Sequence, residues 1–175
     1  SDVCSSDLER RPTGLMTMGQ ALARFGTRMG PGTAPEIIEY GSVALGYQYR
    51  SSAVLGAAPA ADPLPLGELR GRPGTRAPHV AVERDGKPVS TLDLYGFRFV
   101  LLTGPDGNAW AAAARELPVP VDVYRFGADL TPVTAADAHG LAPGEAILVR
   151  PDGFVAWRST TPGALAAALA TILSR

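Results

Sequence analysis

The C-terminal part of this sequence predicts an α/β domain, a central mixed sheet flanked by helices, and three stretches carry that prediction. In Gly144–Arg158, two runs rich in β-branched and aromatic residues flank Asp152-Gly153, a dipeptide suited to the positive φ of a tight hairpin turn. A two-residue loop there pairs Arg150 with Val155, Val149 with Ala156 and Leu148 with Trp157. Pro162–Leu173 follows, with Leu165, Leu169, Ile172 and Leu173 at helical spacing among alanines. Phe97–Thr103 is a short, continuous apolar run of the kind found in a buried central strand. Both faces of the hairpin are apolar, so helices are expected on both sides of the sheet.

In chain order, a helix is expected from Glu9-Arg10-Arg11-Pro12 onward, with Leu15, Met18, Leu22, Phe25 and Met29 forming a narrow apolar stripe. Gly14, Gly19 and Gly26 weaken that helix by about 1 kcal/mol each relative to alanine, so it needs a partner surface. Gly30-Pro31-Gly32 ends it. Pro35–Tyr40 fits either a helical continuation or an extended segment. Val43–Tyr49 alternates as a short strand would, with Leu45, Tyr47 and Tyr49 on one face. A Pro/Ala/Gly-rich connection comes next. Val80–Glu83 and Pro88–Thr91, joined by Asp85-Gly86, form a small hairpin. After the Phe97–Thr103 strand come a helix at Trp110–Leu117, a strand at Val119–Tyr124 and a helical turn at Ala135–Leu141. The order β-α-β-(α)-β-β-α is that of thioredoxin-like folds. Four divisions are expected: a terminus at 1–8, a helical remnant of a larger domain at 9–56, a long linker at 57–75 and a thioredoxin-like domain at 76–175.

Sixteen basic and 17 acidic residues nearly cancel, which argues against nucleic acid or an anionic membrane as partner. No apolar run reaches the roughly 18 residues of a membrane span. No secretory signal is seen, so cytoplasm is the default location. Cys4 is the single cysteine, which excludes an intrachain disulfide and a cysteine metal cluster. Ser1–Leu8 is similar to a translated sequencing adapter, which implies a native protein that was cut upstream; the alternative is a native, disordered terminus with an exposed thiol.

Thioredoxin chemistry needs a Cys-x-x-Cys at the helix following the first central strand, where the helix terminus lowers the thiol pKa. Gly104-Pro105-Asp106-Gly107-Asn108-Ala109-Trp110 occupies that place, so thiol–disulfide exchange is excluded. His79 and His139 are too few for a histidine metal site and read as structural or solvated residues. Asp152 is explained by its turn. Ser51-Ser52 and Ser90-Thr91 have no nearby His–acid pair, and no Gly-rich loop has phosphate-binding spacing. Arg70, Arg72 and Arg76 read as a solvated or domain-contacting cluster, and Trp110 and Trp157 as core anchors. No catalytic, cofactor-binding or metal residue is assigned.

Several stretches together resemble the C-terminal end of FAD-dependent aromatic and polyketide hydroxylases. They are Glu9–Pro12, Leu45–Val54, Pro73–His79, Ser90–Gly96, Phe99–Gly104 and Leu148–Arg158, in the family's order. The resemblance implies a parent with an N-terminal FAD domain, a substrate-covering domain and a closing thioredoxin-like domain without redox cysteines. The parent would use NAD(P)H and O₂ to hydroxylate an aromatic ring. The family's GxGxxG and its Gly-Asp motif have no match here, so no cofactor is assigned to this chain and it is expected to be inactive alone. The implied partner is the missing FAD/substrate domain in cis, with a homodimer as a further possibility. The competing reading is a stand-alone, non-redox thioredoxin-like interaction or dimerisation domain.

Overall fold

A computed structural model describes residues 5–28, 36–57 and 63–173. Its sheet has four strands: β3 (Phe99–Thr103), β4 (Val121–Arg125), β5 (Ala146–Val149) and β6 (Val155–Ser159). Before them come α1 (Ser5–Arg28), α2 (Tyr40–Leu45) and the hairpin β1 (Ala81–Arg84) and β2 (Lys87–Ser90). Between and after the sheet strands lie α3 (Asn108–Arg115), α4 (Ala135–Ala138) and α5 (Leu165–Leu173). The spatial order is β4-β3-β5-β6, with β3 parallel to β4 and the other pairs antiparallel. Parallel β3 and β4 need a crossover, which α3 supplies, and the β5–β6 hairpin with its terminal helix completes the thioredoxin-like order.

Alternation along the strands divides the side chains between two cores. Leu101, Ala146, Leu148 and Ala156 face Trp110 of α3 and Leu165, Leu169 and Ile172 of α5. Val100, Leu102, Ile147, Val149 and Val155 face the other way, onto Val82, Phe126, Leu130 and Ala135. Helices α3 and α5 cover one face. The β1–β2 hairpin, the 126–130 loop and the single turn of α4 cover the second, so the helical cover expected on both sides is present but on this side amounts to one turn.

Asp85 (φ 52°) and Gly86 (φ 73°) make the two-residue turn of β1–β2, with Arg84 opposite Lys87. At β5–β6 the expected two-residue loop is replaced by a three-residue one, Pro151–Gly153. The Gly153 N–H donates to the Arg150 carbonyl (2.9 Å) and the Arg150 N–H to that of Phe154 (2.8 Å). Pro151 suits the first turn position, and Gly153 takes the left-handed position at φ 82°. The longer loop sets Val149 opposite Val155; an irregularity between Leu148 and Val149 then restores the Leu148–Trp157 pair. The expected pairs Arg150–Val155 and Val149–Ala156 are absent for that reason.

Part of the Pro/Gly-rich connection runs along the free edge of β6. The Gly74 N–H donates to the Val155 carbonyl, the Val155 N–H to that of Thr75 and the Leu55 N–H to that of Ala156. At the opposite edge, the Asp129 carboxylate accepts from the Arg125 N–H (2.9 Å).

The N-terminal third departs most from expectation. α1 starts at Ser5, ahead of Glu9, and continues through Pro12. Proline removes one helical hydrogen bond, and the turns on either side hold the helix across it. The segment Val43–Tyr49 is not a strand. The Glu39 carboxylate accepts from the N–H groups of Gly41 and Ser42 and so caps α2, while Gly46 closes it. Those cap bonds lower the Glu39 pKa, the Ser42 hydroxyl first. Of Pro35–Tyr40, residues 36–39 are irregular and Tyr40 opens α2; Met29 and Gly30–Pro35 lie outside the described residues, as does Cys4. Phe97 precedes β3 and is 100% exposed. No described helix is long and apolar enough to cross a membrane.

Candidate functional site

The turn where a thioredoxin enzyme keeps its cysteines joins β3 to α3. Gly107 caps α3 with no side-chain bond, and a Cβ there would sit 2.1 Å from Thr103 Cγ2. Asp106 and Asp129 stand nearby, and the Asn108 side chain already accepts from Arg125 Nη1 at 2.7 Å. A dinucleotide pyrophosphate needs open backbone N–H groups and positive potential. Here the Arg125 guanidinium is already held by Asn108 and Asp129, so its charge is not open to a pyrophosphate.

Neither histidine forms a metal site, and no group of three or more metal-binding side chains gathers among the described residues. His139 is fully buried against Phe126, its rings 5.1 Å apart, and its Nδ1 lies 3.0 Å from the Ala135 carbonyl. Burial lowers its pKa, against the smaller opposing effect of that bond. His79 is exposed, yet its Nδ1 lies 2.7 Å from Ser90 Oγ. No His–acid pair was expected near Ser90; the β1–β2 hairpin brings the histidine of such a pair to it. Ser90 Oγ accepts from the Leu92 N–H and the Ser90 N–H donates to Asp93, so the hydroxyl is committed to capping a 3-10 turn. Among the described residues no carboxylate hydrogen-bonds this imidazole, so the pair lacks the third group that would orient a base.

The groove between α3 and β4, of about 670 Å³, carries Arg98, Arg115, Asp122, Arg125 and Asp129. Arg98 pairs with Asp122 at 3.3 Å and Arg125 with Asp129 at 2.8 Å, so most of its charge is neutralised within the groove. Arg70 and Arg72 have separate partners: Arg70 donates to the Asp137 carbonyl and Arg72 pairs with Glu68, while the Arg76 backbone forms a β-bridge with Phe154. Trp110 is a core anchor, donating Nε1–H to the Gly144 carbonyl at 2.9 Å. Trp157 packs edge-on against it but is only half-buried.

Directional contacts concentrate where α1 meets the sheet domain. Glu9, 4% exposed, accepts from Arg150 Nη1 at 2.5 Å and Nη2 at 2.9 Å, and from Ser51 Oγ at 2.6 Å. Arg150 also donates to both oxygens of Asp152. Burial works to lower the arginine pKa, but the bonds to Glu9 and Asp152 outweigh it and hold the guanidinium charged. Beside this cluster Tyr49 stacks on Phe154 with ring centres 4.1 Å apart. Further along α1, the Gln20 amide donates to the Glu36 carbonyl (3.1 Å) and accepts from the Ile38 N–H (3.0 Å), as a strand neighbour would. Arg24 reaches the Ile38 carbonyl.

Glu9, Thr13, Met16, Gln20 and Ala23 thus line the inward face of α1. Leu8, Leu15, Met18, Leu22 and Phe25 lie on roughly the opposite face and are exposed, Leu22 at 64%. Of this stripe, Leu15, Met18, Leu22 and Phe25 were expected from the helical spacing; Asp152 was read only as a turn residue, and no role was assigned to Glu9 or Arg150. The only signal for them was a set of charged residues in a turn and a helix start, 141 positions apart.

The described residues thus form a cysteine-free thioredoxin-like domain with a helix bound to it by polar contacts and apolar on its far side. The profile of the aromatic-ring hydroxylase C-terminal family matches residues 70–175, and the chain belongs to that family. It is 45% identical over 171 residues to 4-methyl-5-nitrocatechol 5-monooxygenase of Burkholderia sp, a match covering 87% of this chain and 31% of that protein. With aklavinone 12-hydroxylase RdmE of Streptomyces purpurascens it shares 44% identity over 170 residues, 91% of this chain and 32% of the relative. A crystal structure of aklavinone-11 hydroxylase with FAD and aklavinone superposes with a TM-score of 0.87 at 40% identity, over 98% of this chain and 35% of that one. The chain spans about a third of the length of the curated relatives it matches.

Proposed function

We propose that this chain is the C-terminal part of an FAD-dependent monooxygenase that hydroxylates aromatic or polyketide substrates with NAD(P)H and O₂. In this reading residues 76–175 are its thioredoxin-like domain, 57–75 a connector and 9–56 the end of the flavin/substrate region. The whole enzyme works in the cytoplasm. The observation that carries the reading is the match to hydroxylases along nearly the whole of this chain but only about a third of theirs.

FAD, bound upstream, supplies the redox chemistry. The residues of this chain do no redox work: the cysteine-free turn gives no thiolate, and the Arg150 cluster holds one element against another. The purified chain is therefore expected to be colourless and not to oxidise NADPH with an aromatic substrate present. Sequencing upstream of the reading frame is expected to show an in-frame GxGxxG several hundred residues earlier. Stoichiometric flavin on the isolated chain, or an upstream stop without that motif, would return the stand-alone interaction domain as the better reading.

A further inference from the structure

We propose that the outward face of α1 is the seat of the upstream part of this same polypeptide, which approaches the helix backbone closely at Gly19 and Gly26. This deepens the reading above and rests on it.

Four observations carry it. First, the apolar stripe is turned away from the rest of the chain and cannot roll inward. Rotation would take Glu9 off Arg150 and Ser51, and Gln20 off the backbone of residues 36–38. Second, Gly19 and Gly26 each follow a stripe leucine, Leu15 and Leu22, by four residues, one helical turn along the same side. A Cβ at either would meet nothing within 4 Å. Nothing in the described chain requires glycine there, and glycine weakens a helix relative to alanine. A second backbone packed against this side would require it. Third, Leu8, Leu15, Met18, Leu22 and Phe25 leave on the order of 500 Å² uncovered, at the upper end of what a free monomer shows. A stable dimer needs about 800 Å² from each partner. The stripe alone falls short of that, and an intramolecular contact, which needs no association entropy, suits it better. Fourth, the matched relatives carry roughly twice as much chain again outside the matched region.

The test compares the 175-residue chain with the longer polypeptide from the upstream frame. In the short chain, Gly19→Leu is expected to keep the denaturation midpoint or raise it, because its side chain meets open space. In the longer polypeptide, Gly19→Leu and Leu22→Asp are expected to speed amide exchange across Leu15–Phe25 by about tenfold or more. Thr17→Leu, off the stripe, should leave the exchange unchanged. If neither stripe variant changes exchange in the longer polypeptide, the proposal falls while the hydroxylase reading stands. If the short chain forms a tight dimer that Leu22→Asp splits, a second copy is the occupant and the proposal falls. An upstream region without the flavin motif overturns both.

Discussion

Along β5, Ile147, Leu148 and Val149 send alternate apolar side chains into two cores, each closed within the chain. Along α1 the arrangement is reversed: Glu9 and Gln20 are buried while Leu15, Leu22 and Phe25 face out. The two regions are held by different forces. Apolar burial in the sheet is non-directional and large, and it stabilises the domain whichever side chains supply it. The buried face of α1 relies on hydrogen bonds of defined geometry. These contribute little net stability each but fix how the helix is turned. A helix fixed in this way can present a chosen apolar face elsewhere.

If the sheet cores dominate stability, Trp110→Ala should have the largest effect, lowering it by about 3–5 kcal/mol. Half-buried Trp157→Ala should cost clearly less. A denaturant series would read both, and equal losses would mean that the two tryptophans share one core environment.

Arg150→Met tests the other region. It leaves the Glu9 carboxylate buried without its cation, a change expected to weaken the seat of α1 by about 3 kcal/mol. The double variant Glu9→Met/Arg150→Met should recover most of the loss, because both charges then leave together. Proteolysis within α1 would report release of the helix. If Arg150→Met loosened the sheet core as much as α1, the division between the regions would not hold.

Gly153→Val should cost about 1–2 kcal/mol through the left-handed backbone at φ 82°. The nearest atom to an added Cβ, Tyr95 Cδ2, is 3.6 Å away, so strain rather than collision is the cause. Gly153→Asn, which tolerates this conformation, should keep most of the stability.

The smallest effect concerns His139. Burial lowers its folded pKa, so the unfolded chain takes up the proton first. Stability is therefore full above the unfolded value, about 6.5, and falls as pH drops below it toward the folded pKa. Thermal midpoints between pH 7 and 5 should decline less in His139→Phe than in the parent chain. Identical slopes would show that His139 contributes nothing to the acid limb.

Where local pattern and tertiary demand agreed, the sequence was legible. Phe99–Thr103, Val121–Arg125 and both hairpins lie close to where alternation, apolar runs and Asp-Gly turns put them. Val43–Tyr49 failed because alternation cannot outweigh a good cap: Glu39 organises α2 through two N–H groups. The β5–β6 loop came out one residue short because Pro151 favours a turn start that leaves Gly153, rather than Asp152-Gly153 together, to take the positive φ. The His79–Ser90 pair was invisible because it depends on hairpin register.

The sequence by itself determined the α/β class and the strand and helix order from β1 to α5. Each follows from residue type and short-range periodicity. It also marked the α1 stripe as apolar. Only the tertiary structure decided which way that stripe faces, because the choice rests on Glu9 meeting Arg150 and Ser51 across 141 and 42 positions. Hydrogen bonds and charge pairs are short-ranged and directional, so contacts between distant segments leave no periodic trace in a sequence. They appear only when folding brings the partners within about 3 Å.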